Sequence, residues 1–186
     1  MPDISEKNFE DTITANLLEG GPDAPNGVIS KEASLTGEFT PGGFRRRKPE
    51  DYDKKFCMIA QDALDFILIT QPKEWEKLRK NFSGDVKAHF LERLTKEISQ
   101  HGTLHVLRKG IKDLGCKFQL AYFPPASGLN PEIQKQYQGN IFSVVRQLKY
   151  SLTNENSLDM AIFLNGLPIF TAELKNPLTA QTVQNS

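Results

Sequence analysis

The chain has 186 residues, of which 38% are hydrophobic and 25% are charged, and its 23 basic and 23 acidic residues give a formal net charge of zero. These values are typical of one globular domain with a substantial core, and no apolar run approaches the ~18 residues of a membrane span. Neutrality argues against tight autonomous DNA binding, because stand-alone DNA binders are more often basic. With only two cysteines and no recognisable signal peptide, we expect a cytoplasmic location.

The first part of the chain is predicted to be mainly helical. An amphipathic helix over 5–19 is followed by a long loop over 20–50, rich in Gly and Pro, with at most a short strand near Val28-Ile29. Four further apolar patterns predict helices over 54–70, 73–80, 85–99 and 103–113. We therefore expect an all-helical insertion over about 54–113.

A basic tetrad lies at the end of the long loop: Arg45, Arg46, Arg47 and Lys48. Such a cluster can contact the phosphates of a DNA backbone, or it can simply be a solvated loop.

The hydrophobic period changes after Gly115. We predict a strand over 117–123, a short helix over 130–138, a strand over 141–150, and then a hairpin. Pro177 should end the last strand, and a helix should begin over 178–184. Arg146 and Lys149 on the strand over 141–150 are further candidate phosphate contacts, although charged strand residues are more often solvent-facing. The elements together predict an α/β fold in which a mixed sheet is flanked by helices.

The hairpin over 158–175 carries three charges in an otherwise apolar run: Asp159, Glu173 and Lys175. A charge buried in a strand is costly unless it is paired or binds a metal. A three-residue loop with an αL Gly166 would pair Leu164 with Pro168 and place Asp159 opposite Glu173.

With this register, one face of the hairpin should be wholly apolar, because strand side chains alternate between the two faces. That face would carry Met160, Ile162, Leu164, Phe170, Ala172 and Leu174. The other face would carry the three charged side chains at one end, beside Ala161 and Thr171, with Phe163 and Ile169 at the other end. The two carboxylates and the amine should therefore converge.

Two carboxylates on adjacent strands offer hard oxygen ligands for Mg²⁺, which usually keeps several waters and takes further ligands from substrate phosphate. A lysine on the same face can orient the attacking water or stabilise the transition state as a fixed cation. The alternative is a strand-end salt bridge between Lys175 and one carboxylate, worth about 0–1 kcal/mol if exposed.

Asp159 followed by Glu173-Leu174-Lys175 resembles the active-site signature of the PD-(D/E)xK nuclease superfamily. The longer string SLDMAIFLNGLPIFTAELKNPLTAQTV is similar to the N-terminal nuclease domain of the restriction (R, or motor) subunit of type I restriction–modification enzymes. The segments QPKEWEK, GTLHVLRKGIK and AYFPPASGLNP also resemble that family, as does NFE in its first helix. The resemblance implies a restriction-endonuclease-like core.

The resemblance also implies roles for individual residues. Asp159 and Glu173 would bind Mg²⁺ or Mn²⁺ together with the backbone carbonyl of Leu174, and Lys175 would be the catalytic lysine. An acid on the first helix sometimes completes such sites, and Glu10 is the candidate, with Glu19 as second choice. The substrate would be double-stranded DNA.

The rest of the assembly is implied by the family as well. Methyltransferase and specificity subunits would be the partners, and ATP would be used only by motor domains, since this chain has no Gly-x-x-x-x-Gly-Lys-[Ser/Thr] loop. The family also carries a Gln-x-x-x-Tyr motif after the catalytic strand. That motif does not appear by Ser186, so residues 1–186 would form a single nuclease domain truncated at its C-terminus.

Overall fold

A computed structural model describes residues 6–19, 44–125 and 130–174 of the chain. Its centre is a four-stranded sheet made of β1 (Phe44–Arg47), β4 (Phe142–Lys149), β5 (Ser157–Leu164) and β6 (Leu167–Ala172). The strands lie in the order β1-β4-β5-β6, and β1 runs parallel to β4 while the other neighbours are antiparallel. A separate antiparallel ribbon pairs β2 (Ile111–Asp113) with β3 (Cys116–Phe118).

The helices of the described residues are α1 (Glu6–Glu19), α2 (Ala60–Thr70), α3 (Pro72–Asn81), α4 (Val86–His101), α5 (Thr103–Lys109) and α6 (Pro131–Gln138). A short 3-10 helix spans Pro49–Asp51. The main core joins α2 to α5 with the β2–β3 ribbon, and it reaches the large sheet through Ile141 and Leu167. A smaller core centred on Val145, Ala161 and Phe163 lies on the sheet itself. The predicted α/β fold, a mixed sheet flanked by helices, is confirmed.

Two predicted boundaries of the helical insertion are wrong. The second helix begins at Ala60 and not at residue 54, because the backbone N–H of Ile59 donates to the carbonyl of Gly166 across the structure (2.9 Å). The fifth helix ends at Lys109, and the residues after Gly110 form a strand. Gly110 has φ +70°, and a Cβ there would lie 2.1 Å from the carbonyl oxygen of Phe118, so the helix cannot continue.

The basic tetrad was assigned to a loop, and this assignment is wrong for its first three residues. Arg45, Arg46 and Arg47 lie on β1, which pairs with β4 in parallel over its whole length. The prediction failed because the partner strand lies about 100 positions further along the chain, so no local pattern reports the pairing.

The predicted strand over 117–123 ends early, at Phe118. The segment that follows hydrogen-bonds to buried side-chain amides. Gln71 bonds both the N–H and the carbonyl of Gln119 (2.8 Å each), and Asn140 does the same for Tyr122 (3.1 and 2.6 Å). These amides replace the neighbouring strand that the segment lacks.

The turn of the β5–β6 hairpin is buried. Asn165 is fully inaccessible, and its side chain accepts from the N–H of Ile141 (2.7 Å) and donates to the carbonyl of Leu120 (2.8 Å) and to Asn140 Oδ1 (3.0 Å). Gly166 has φ +79°, and a Cβ there would lie 2.4 Å from the carbonyl oxygen of Ile59. The turn is therefore a packing element between sheet and insertion.

The predicted three-residue loop is wrong. Leu164 pairs with Leu167, which leaves a two-residue loop, and a bulge between Ile162 and Phe163 then shifts the register. Beyond the bulge Met160 pairs with Ala172. Continued by one residue, this register sets Asp159 level with Glu173, as the sequence had predicted by a different route. The predicted apolar face is only partly covered, since Phe170 is 54% exposed.

Several predictions lie outside the described residues: the strand near Val28-Ile29, the role of Pro177 and the helix over 178–184. Of the helices in the described ranges, none has the length and apolar character needed to cross a membrane.

We predict that Asn165→Ala lowers the free energy of unfolding of this chain by about 3 kcal/mol, because buried donors and acceptors lose their partners. Urea denaturation followed by circular dichroism measures the change. The control is Asn156→Ala at an exposed position, which should change stability by less than about 0.5 kcal/mol. Equal effects of the two substitutions would contradict the anchoring role of Asn165.

Candidate functional site

The predicted site lies at the end of the hairpin opposite the buried turn. Asp159 lies on β5, and Glu173 and Leu174 directly follow β6. Oδ2 of Asp159 accepts a hydrogen bond from the backbone N–H of Leu174 (2.6 Å). This bond holds the two acid-bearing segments together where the regular strand pairing ends. Asp159 is half-buried and Glu173 is exposed, so the pair opens toward solvent.

A third acid reaches the same region from α1. Glu10 is only 5% exposed, although it lies on a surface helix. Its Oε1 accepts from Nε2 of Gln147 (3.0 Å), and the same nitrogen lies 3.4 Å from Oδ1 of Asp159. Glu10 and Asp159 are therefore separated by a single amide group.

Arg146 fixes the other oxygen of Glu10. Its Nη2 and Nε lie 2.7 and 3.0 Å from Oε2 of Glu10, and its Nη1 bonds Asp11. Burial would lower the pKa of Arg146, but the hydrogen bonds that it donates to Glu10 and Asp11 outweigh the effect of burial and raise the pKa. The guanidinium is thus a permanent counter-ion that docks α1 on β4.

Two residues of the basic tetrad also have acidic partners. Nη2 of Arg47 lies 2.5 Å and Nη1 of Arg45 lies 3.2 Å from Oδ1 of the fully buried Asp62 on α2. Ser143 donates to Oδ2 of Asp62 (2.5 Å). Burial would lower the pKa of Arg47, but its hydrogen bond to Asp62 and the Asp62 charge raise it overall. Arg45 and Arg47 therefore tie β1 to α2.

The remaining candidate phosphate contacts in the described residues are all exposed. Arg46 and Lys48 are exposed. Lys149 forms a fully exposed ion pair with Glu155 (2.5 Å), whose hydrogen bond raises the pKa of Lys149 and lowers that of Glu155. Lys175 lies outside the described residues, and the side chain of Glu19 is likewise not described.

The donor set suits a hard cation with retained waters. Asp159, Glu173 and the carbonyl of Leu174 offer oxygen atoms only, and Mg²⁺ is commonly held by one or two carboxylates with its other positions left to water and phosphate. Within the described ranges, no group of three or more His, Cys, Asp or Glu side chains is placed to hold a metal ion. A closed all-protein cage of the zinc type is therefore not formed by these residues.

Sequence reasoning missed Gln147, Asp62 and Ser143. Asp62 had a usable signal, because it is an acid inside an apolar helical run preceded by a basic cluster. Gln147 and Ser143 had none, since single polar residues on a strand are common.

A family model described as the N terminus of the type I restriction enzyme R protein (HSDR_N) matches residues 50–185. The match includes Asp159, Glu173 and Lys175, whereas Glu10 and the basic tetrad precede it. No curated protein and no solved structure matches the chain.

We predict that Asp62→Ala lowers the free energy of unfolding by about 3 kcal/mol, because two partly buried guanidinium groups lose their counter-ion. Urea denaturation measures the change. Asp65→Ala is the control one helical turn away: that carboxylate is 30% exposed and lies 3.7 Å from Arg45, so the cost should stay below about 1 kcal/mol. A small effect of Asp62→Ala would show that the cluster does not stabilise the fold.

Proposed function

Because the chain belongs to the family of type I restriction enzyme R protein N termini, we propose that it is a divalent-metal-dependent DNA endonuclease domain. The observation that carries this proposal is the approach of Asp159 to the Glu173-Leu174 segment, fixed by the hydrogen bond from the Leu174 N–H (2.6 Å). Asp159 is half-buried and Glu173 is exposed, which supports the proposal because a phosphodiester would need access to both acids.

In this proposal, Asp159, Glu173 and the backbone carbonyl of Leu174 bind Mg²⁺ or Mn²⁺. When bound, such a metal lowers the pKa of a coordinated water and neutralises charge that develops on phosphorus. Lys175 stabilises that charge as a fixed cation or orients the attacking water.

The same proposal places the chain in a larger assembly. Its substrate is double-stranded DNA, and its partners are the methyltransferase and specificity subunits of a cytoplasmic restriction complex. ATP is used by motor domains of the complete R subunit. Arg46 and Lys48 are exposed and are the members of the tetrad best placed to contact phosphates.

A non-catalytic docking or DNA-contact module of the same assembly is the second candidate. It is favoured by the exposed apolar side chains Ile169 (44%) and Phe170 (54%) on β6, the edge strand of the described sheet. Metal binding discriminates between the two functions, because a docking module has no need to bind Mn²⁺ at Asp159 and Glu173.

We predict that Asp159→Ala, Glu173→Ala and Lys175→Ala in the full-length subunit complex each lower Mg²⁺-dependent DNA cleavage by about 100-fold or more, since each removes a group acting on the reacting phosphate. Cleavage of plasmid DNA is measured with ATP hydrolysis as an internal control. Glu155→Ala is the matched variant, because Glu155 is an exposed acid that pairs with Lys149 at the surface, and it should cut normally. Normal cleavage by all three site variants would refute the nuclease assignment.

A further inference from the structure

Gln147 interrupts the pairing of β4 with β5 at a single position. The partners Arg146–Met160 and Leu148–Leu158 flank it in the same register, so Gln147 lies opposite Asp159. Its φ is +50°, a left-handed conformation that a non-glycine residue rarely adopts within a strand. Such a conformation is strained and persists only where surrounding contacts hold it.

The side chain of Gln147, an exposed residue, contacts two acids. The Gln147 amide nitrogen lies 3.0 Å from Oε1 of Glu10 and 3.4 Å from Oδ1 of Asp159. One nitrogen thus connects an acid on α1 with an acid on β5. Sequence periodicity gives no reason for these two elements to meet through this residue.

Glu10 is the fixed end of this connection. Both of its carboxylate oxygens accept hydrogen bonds from the protein, Oε2 from Arg146 and Oε1 from Gln147, and the residue is 5% exposed. Arg146 balances its charge at 2.7 Å. A carboxylate held in this way serves better as an anchor for neighbouring groups than as a direct metal ligand.

Asp159 is the oriented end. Its Oδ2 is held by the Leu174 N–H and its Oδ1 by the Gln147 amide. Each ionised carboxylate oxygen offers two lone pairs, so Asp159 keeps acceptor capacity on both oxygens. Its orientation, and with it the direction of the remaining lone pairs, is set from two sides.

We propose that Gln147 is a positioning residue. The buried Glu10 fixes the Gln147 amide, and this amide in turn orients the Asp159 carboxylate toward a divalent cation. This inference rests on the proposed metal-dependent function and deepens it. Groups that orient metal-binding carboxylates by hydrogen bonding typically affect metal affinity by 10–100-fold when they are replaced.

Two substitutions separate this role from a purely structural one. Gln147→Gly removes the amide but suits the positive φ, and Gln147→Asn keeps an amide and tolerates the backbone but is one methylene shorter. Gln138→Asn makes the same change at an exposed position on α6. Each variant of this chain is titrated with Mn²⁺ by isothermal calorimetry, and its unfolding in urea is measured in parallel.

We expect both Gln147 variants to bind Mn²⁺ about 10–100-fold more weakly than the wild type, and Gln138→Asn to bind as the wild type does. Gln147→Gly should unfold at nearly the same urea midpoint as the wild type, because relief of the strained backbone offsets the lost hydrogen bonds. In the full subunit complex, raised Mg²⁺ should restore cleavage by the Gln147 variants, which a merely structural role would not produce.

Unchanged Mn²⁺ affinity in both Gln147 variants would overturn the positioning role and leave the proposed nuclease function intact. A wild-type chain that binds no Mn²⁺ would overturn both. A loss of affinity accompanied by a fall of more than about 1 M in the urea midpoint of Gln147→Gly would assign the residue to the fold and also overturn the role.

Discussion

The buried side chain of Asn165 is the interaction on which the described structure depends most. It joins three segments that are far apart in the sequence: the hairpin turn, the extended residue Leu120, and Asn140-Ile141 at the start of β4. An unsatisfied buried amide would cost several kcal/mol, so the turn fits only where all these partners are present. This requirement fixes the hairpin turn against Leu120 and the start of β4, and the hydrogen bond from the Ile59 N–H to the Gly166 carbonyl fixes it against the helical insertion. The residues of β5 and β6 are then placed by counting from the turn.

Counting from the turn explains why the register predicted for Asp159 and Glu173 agrees with the strand pairing, although the predicted loop is wrong. For Asp159 to lie opposite Glu173, the hairpin must contain one residue more on the β6 side than a plain two-residue loop provides. The prediction placed this extra residue in the loop, as the αL glycine. The structure puts it in a bulge near Phe163 instead, and pairs Leu164 with Leu167. Side-chain alternation could not distinguish the two, because either insertion gives the same register at the charged end.

Elsewhere, the elements that depend on a local sequence pattern were predicted, and those that depend on contacts between distant segments were not. Helices with a continuous apolar stripe, such as α4, were found from periodicity because their pattern is local. The parallel pairing of β1 with β4 was missed because it joins distant segments, and the early end of β3 was missed because Gln71 and Asn140 bond the next segment through side chains. The left-handed backbone of Gln147 could not be predicted either, since Gln is not a residue that favours positive φ.

Two ionic clusters beside β4 show that part of the chain's balanced charge lies in ion pairs inside the fold. Ser143 and Arg146 are three positions apart and so face opposite sides of the sheet. Ser143 belongs to the cluster around Asp62, which lies on α2, and Arg146 belongs to the cluster around Glu10, which lies on α1. Arginines that look available for DNA in the sequence are thereby used to dock a helix on each side. Under the proposed nuclease function, the DNA contacts would come from exposed cations such as Arg46 and Lys48 or from other parts of the assembly.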